Sequence, residues 1–126
     1  MKQYIILISA LILIIGLNIF QGSYLNKTSK ELLNRIENIK TNLDNKAFDT
    51  AYNEILELEK DWEAKRAGWD ILTEHDDVEE FESCLASLKA FTKSNTLSES
   101  LSEVSKLKQR IEHILENEAL SFATIF

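Results

Sequence analysis

Polarity along this chain changes character once. Tyr4 to Phe20 read YIILISALILIIGLNIF, an apolar run unmatched elsewhere in the sequence. At a rise of 1.5 Å per residue, a helix over the run covers about 25 Å, the short end of what crosses a bilayer. Tyr4 and Tyr24 lie about 30 Å apart on such a helix, placing an aromatic ring at each interface. After position 24 the apolar residues fall into stripes with the period of a helix that buries one face. Leu32, Ile36, Ile39 and Leu43 mark the first, over about Thr28 to Asp44, with Thr28-x-x-Glu31 reading as a capping box at its start. Phe48, Tyr52, Ile55, Trp62, Trp69 and Leu72 mark a second, over about Phe48 to Thr73, with Ala51 and Leu58 beside it. Val78, Phe81, Leu85, Leu88 and Phe91 mark a third, over about Val78 to Lys93. Leu97, Leu101, Val104, Leu107, Ile111 and Ile114 or Leu115 mark a fourth, opened by a second capping box, Thr96-x-x-Glu99.

The chain lacks proline and holds three glycines, so it is nearly free of helix breakers. The pattern predicts an all-α protein: an N-terminal transmembrane helix, residues 1–24, then an antiparallel four-helix bundle, residues 25–126. A three-helix variant arises if the second and third stripes fuse, since Thr73 to Asp77 contains no glycine or proline. A break there is favoured, because separate helices can bury their stripes within one chain. Gly68, beside Trp69, marks either a bend or the close approach of a neighbouring helix.

The apolar run reads as an uncleaved signal-anchor. Lys2 precedes it, yet bulky Phe20 stands where cleavage after Gly22 needs a small residue, and no cysteine follows for lipid attachment. An anchor with almost nothing before it exports the chain beyond it, so the expected location is a single-pass protein of the cell membrane with its bundle on the extracytoplasmic side.

Charge narrows the partners. All 21 acidic residues and 13 of the 14 basic ones come after the run, leaving the remainder at −8. Nucleic acid is therefore not an expected partner, since phosphate contacts need a basic stripe. One cysteine, Cys84, excludes an internal disulfide. It reads as a small apolar group beside the third stripe, and intermolecular pairing needs it exposed.

Chemistry has few candidates. Asp70, Glu74, His75, Asp76, Asp77, Glu79, Glu80 and Glu82 crowd one junction. Of these, His75, Asp76, Asp77 and Glu79 are the weak metal-ligand candidates, as carboxylates and an imidazole suit a divalent ion. The calcium-loop pattern with its glycine is missing, and acids before a helix also suit the positive end of its dipole. His75 there reads as bonding a carboxylate; His113 reads as core edge. Trp62 and Trp69 are candidates for ligand stacking, but their seven-residue spacing reads first as a bundle seam. No serine-hydrolase elbow, phosphate loop, zinc-protease or dinucleotide motif occurs, so neither an enzyme nor a cofactor is expected. The ending Leu120, Phe122, Ile125 and Phe126 is the candidate interaction patch, for a membrane partner or the bilayer, unless it folds back to close the bundle.

The short anchor, Trp62-x6-Trp69, the nearby His75 and the Ala-Thr-Ile-Phe ending together resemble an uncharacterised bacterial family, the domain-of-unknown-function family 4363. The resemblance covers essentially the whole chain. It implies a small anchored helical protein without assigned activity, encoded beside a small multi-spanning membrane protein, and it carries no site residue. The leading expectation is a non-enzymatic accessory or interaction subunit of a membrane protein. The alternative is an extracytoplasmic sensor or ligand-binding bundle; a structural homo-oligomer is a third class.

Overall fold

A computed structural model describes the backbone of residues 1–125 and the side chains of residues 1–117. Four helices account for it: α1 (Lys2–Asp44), α2 (Phe48–Leu72), α3 (His75–Lys93) and α4 (Leu97–Ile125). They form an up-down-up-down ring in which α1 packs on α2 and α4, and α3 packs on α2 and α4. Neither diagonal pair comes into close backbone contact among the described residues.

The expected break between anchor and bundle does not exist. Lys2–Asp44 is one helix of 43 residues, about 64 Å long. Thr28, expected to cap a new helix, sits in its interior. Its hydroxyl donates to the Tyr24 carbonyl four residues back, at 2.8 Å, as serine and threonine do inside helices. A capping-box pattern is ambiguous where the chain before it is already helical. Gly16 and Gly22 do not interrupt the helix, and nothing lies within 4 Å of the Cβ that either would carry.

The stripes otherwise set the packing. Leu32, Ile36, Ile39 and Leu43 are buried on α1, and Ile55, Trp62 and Trp69 on α2. Val78, Phe81, Leu85 and Leu88 are buried on α3, and Val104, Leu107, Ile111 and Ile114 on α4. Each large apolar side chain taken from water contributes roughly 1.5–3 kcal/mol. On α4 the first turns are shifted from expectation: Ser100 is fully buried while Leu97 and Leu101 are half-buried. Facing Thr92 donates its hydroxyl to Ser100 Oγ at 3.3 Å, so the polar pair satisfies itself inside.

Both turns at the end far from the apolar run close in the same way. Lys46 (φ 59°) and Asn95 (φ 58°) adopt the left-handed conformation after α1 and α3. Ala47 N–H then donates to the Asn42 carbonyl and Thr96 N–H to the Phe91 carbonyl, the six-to-one bond of a Schellman cap. At the other end α2 and α3 are separate helices, as expected. Thr73 is extended, and its hydroxyl donates to the Trp69 carbonyl at 2.6 Å. α3 begins at His75, three residues before the expected start, with Asp76 and Asp77 in its first turn.

Gly68 resolves as a close approach. A Cβ there would lie 2.6 Å from the Tyr24 hydroxyl oxygen, so only glycine admits the ring in this position. One turn away, Trp69 Nε1–H donates to Thr28 Oγ1 at 3.0 Å, inside the core. Thr28→Val keeps the shape and removes the acceptor, leaving the indole N–H buried and unpaired. The expected loss is about 1–3 kcal/mol, measured as a lower unfolding midpoint in mild detergent; an unchanged midpoint would show that the bond carries no weight.

Candidate functional site

Of the metal-ligand candidates at the α2–α3 turn, His75 and Glu79 are in contact, whereas Asp76 and Asp77 point elsewhere. His75 lies exposed between two carboxylates, with Nδ1 3.3 Å from Asp70 Oδ1 and Nε2 3.0 Å from Glu79 Oε1. Asp76 is exposed, whereas Asp77 turns inward and is buried. Among the described residues no three His, Cys, Asp or Glu side chains group as a metal site. The acids instead serve the positive end of α3, where Asp76 and Asp77 occupy the first turn. The hydrogen bond that His75 donates to Asp70, then the charges of Glu79 and Asp70, raise the His75 pKa above its usual value.

His113 faces solvent rather than the core edge, because it sits one step outside the line of Ile111 and Ile114. It lies 3.3 Å from Asn117 and shares no partner with His75. It also lines an open groove between α3 and α4, with Glu80, Ser83, Cys84, Lys106, Gln109 and Arg110, of about 600 Å³. The groove mixes acidic, basic, thiol and imidazole groups, but its charges are largely paired. Arg110 pairs with Glu80, and Lys106 with the buried Glu103 at 3.2 Å. Cys84 is half-buried, and burial followed by the charge of Glu103 pushes its thiol pKa up, away from the nucleophilic thiolate.

Trp62 and Trp69 are core groups. They are 3% and 0% exposed, pack edge to face at 5.7 Å, and leave no ligand face open. Trp62 also packs on Phe81 at 4.4 Å and donates its N–H to Glu82 Oε1 at 3.1 Å. The interaction candidates of the C-terminus, the side chains of Leu120, Phe122 and Ile125 and the whole of Phe126, lie outside the described residues.

Two features were not legible in the sequence. The first is a charge ladder across α1 and α2. Lys65 reaches Glu31 at 2.8 Å and Asp61 at 2.5 Å, and Arg35 reaches Asp61 at 3.1 Å. Burial alone would raise Asp61, but hydrogen bonds and charges from Lys65 and Arg35 leave its carboxyl below the usual range. The available signal was Lys65 itself, a charged residue in the seam between Trp62 and Trp69. The second is Ile71, 82% exposed although it lies inside an apolar-rich helix. Its signal was its place off the stripe of Trp62 and Trp69.

The surface that dominates is the first half of α1. It is one helix long and apolar enough to cross a membrane, and none of its most apolar window is buried. From Tyr4 to Phe20 its large apolar side chains, apart from half-buried Ile15, stand open to the surroundings, and burial begins in earnest only at Leu25.

A family model described as "Domain of unknown function (DUF4363)" matches residues 19–125. The chain belongs to this family. The region shared with the DUF4363 family thus runs from the last residues of the apolar run through all four bundle segments. No curated protein and no solved structure matches the chain.

The pH dependence of the turn is set by His75. Its folded pKa is raised, so the pairing stabilises the fold fully below the unfolded value near 6.5 and is lost as pH rises through the folded value. The unfolding midpoint should fall slightly on raising pH through the range just above 6.5, and His75→Gln should flatten that slope. An equal slope in the variant would assign it to other groups.

Proposed function

We propose that this protein is a non-enzymatic accessory or interaction subunit of a membrane protein, held at the bilayer by residues 4–20 as an uncleaved signal-anchor. The observation that carries the reading is the bare apolar half of α1, continuous with the helix that supplies the bundle core. An exposed apolar surface of this length is costly in water and favourable in hydrocarbon. The bundle supports a binding role rather than catalysis. Several of its charged groups are engaged in ion pairs such as Arg110–Glu80 and Lys89–Glu59, and burial raises the pKa of its one thiol. The partner in this reading is a small multi-spanning membrane protein, with the bundle on the extracytoplasmic side. The acidic surface turns nucleic acid away.

One observation favours a second reading, an extracytoplasmic sensor. Because α1 is unbroken, a ligand that shifts α1 against α2 would move the membrane segment with it. Such a ligand would bind at the polar surface, since the tryptophan face is closed.

Cross-linking of the tagged full-length chain in its membranes, then mass spectrometry, tests the first reading. Stoichiometric recovery of a single multi-spanning protein is the expected result. Self-cross-links alone would turn the assignment toward a homo-oligomer. No cross-links, together with a thermal shift on adding an ion, sugar or peptide, would turn it toward a sensor.

A further inference from the structure

Ile71 is, among the described residues, the one large apolar side chain outside the first twenty residues that stands exposed, at 82%. Its height on the bundle gives the exposure a meaning. The α1–α2 hairpin turns at Lys46, and two antiparallel helices with equal rise bring residues equidistant from the turn level with one another. Tyr24 and Gly68 are equidistant from Lys46 and are in contact, which verifies the register. The same register sets Ile71 level with Gln21, one residue past the end of the apolar run. Phe20 and Ile19 below that level are themselves exposed.

We propose that the α2–α3 end of the bundle is seated on the lipid bilayer, with Ile71 inserted at the boundary between headgroups and acyl chains. The inference rests on the reading of residues 4–20 as a membrane span. A bilayer around that span begins one residue below the level of Ile71, so an outward side chain at this height meets lipid rather than bulk water. The flanking groups limit the depth. Asp70, Glu74 and Asp76 are exposed and charged, and they keep the turn itself in the aqueous headgroup layer. They also select the surface: a zwitterionic leaflet accepts this end, and an anionic one repels it. With the span on one side and Ile71 on another, the unbroken rod of α1 and the bundle on it are held at one tilt to the bilayer.

Nitroxide labels report the contact in the full-length chain. Cysteine is placed by Ile71→Cys, by Leu13→Cys within the span, or by Asn53→Cys on the far part of α2, each in a Cys84→Ala background. All three sites are exposed, so the label displaces no core group. The chains are reconstituted in phosphatidylcholine vesicles, and collision with oxygen is compared with collision with a water-soluble nickel complex. The expected oxygen-to-nickel ratio at position 71 is several-fold above that at 53 and below that at 13. A ratio at 71 equal to that at 53, with 13 in lipid, would overturn the inference and leave the anchor standing. Aqueous values at both 71 and 13 would remove the inference together with the membrane reading beneath it.

Discussion

The rest of the structure depends on α1 being unbroken. Nothing between Tyr4 and Asp44 can stop a helix: there is no proline, and the glycines at 16 and 22 meet no neighbour that would exploit a kink. One helix therefore passes from an all-round apolar surface to a one-faced stripe within a turn of Gln21. A flexible linker would leave the bundle free to rotate about its anchor. A continuous helix fixes the bundle's axis to that of the apolar segment, and with it the direction in which every other surface looks.

The other three helices are referred to that rod through its contact with α2. On α1, Tyr24, Thr28, Glu31 and Arg35 recur at helical spacing along one face, and each meets a specific group on α2: Gly68, Trp69, Lys65 and Asp61. Apolar packing alone tolerates sliding by a turn, whereas a ring over a glycine, an indole bond to a hydroxyl and a ladder of opposite charges do not. Desolvation opposes the ladder, yet the pairing outweighs it, holding the Asp61 carboxyl below and the Lys65 ammonium above their usual values. α3 and α4 then complete the ring through Trp62, Phe81 and the stripe of Val104, Leu107 and Ile111.

Hydrophobic period made the four stripes legible, and with them the all-α bundle and the burial of both tryptophans, but it counted α1 as two helices. The break after Leu72 was legible only through packing, since two separate stripes can be buried within one chain and Thr73 to Asp77 contains no glycine or proline. The continuity at Thr28 was not, because a threonine with a glutamate three residues later describes a helix start and a helix interior equally well. Lys65 and Ser100 were missed for a common reason: polar residues inside an apolar seam become intelligible only with their partners, Glu31 and Asp61 for one and Thr92 for the other. His113 was placed inward because it stands between two isoleucines, a step of one residue that on a helix is a turn of about 100°. Of the candidate site, His75 between its carboxylates was foreseeable from sequence spacing, since Asp70 and Glu79 lie five residues before and four after. Ile71 was not, because its meaning lies in its height beside α1, a quantity that exists only once the hairpin register is known.

Amide hydrogen exchange of the full-length chain in lipid, read residue by residue from Phe20 to Ser29, tests the unbroken rod most directly. The account predicts protection that runs without interruption from the apolar segment into the bundle, because every amide there is donated within a helix. A stretch of rapidly exchanging amides between Gln21 and Lys27 would reveal a hinge, and the bundle would then be a tethered body and not the continuation of its anchor.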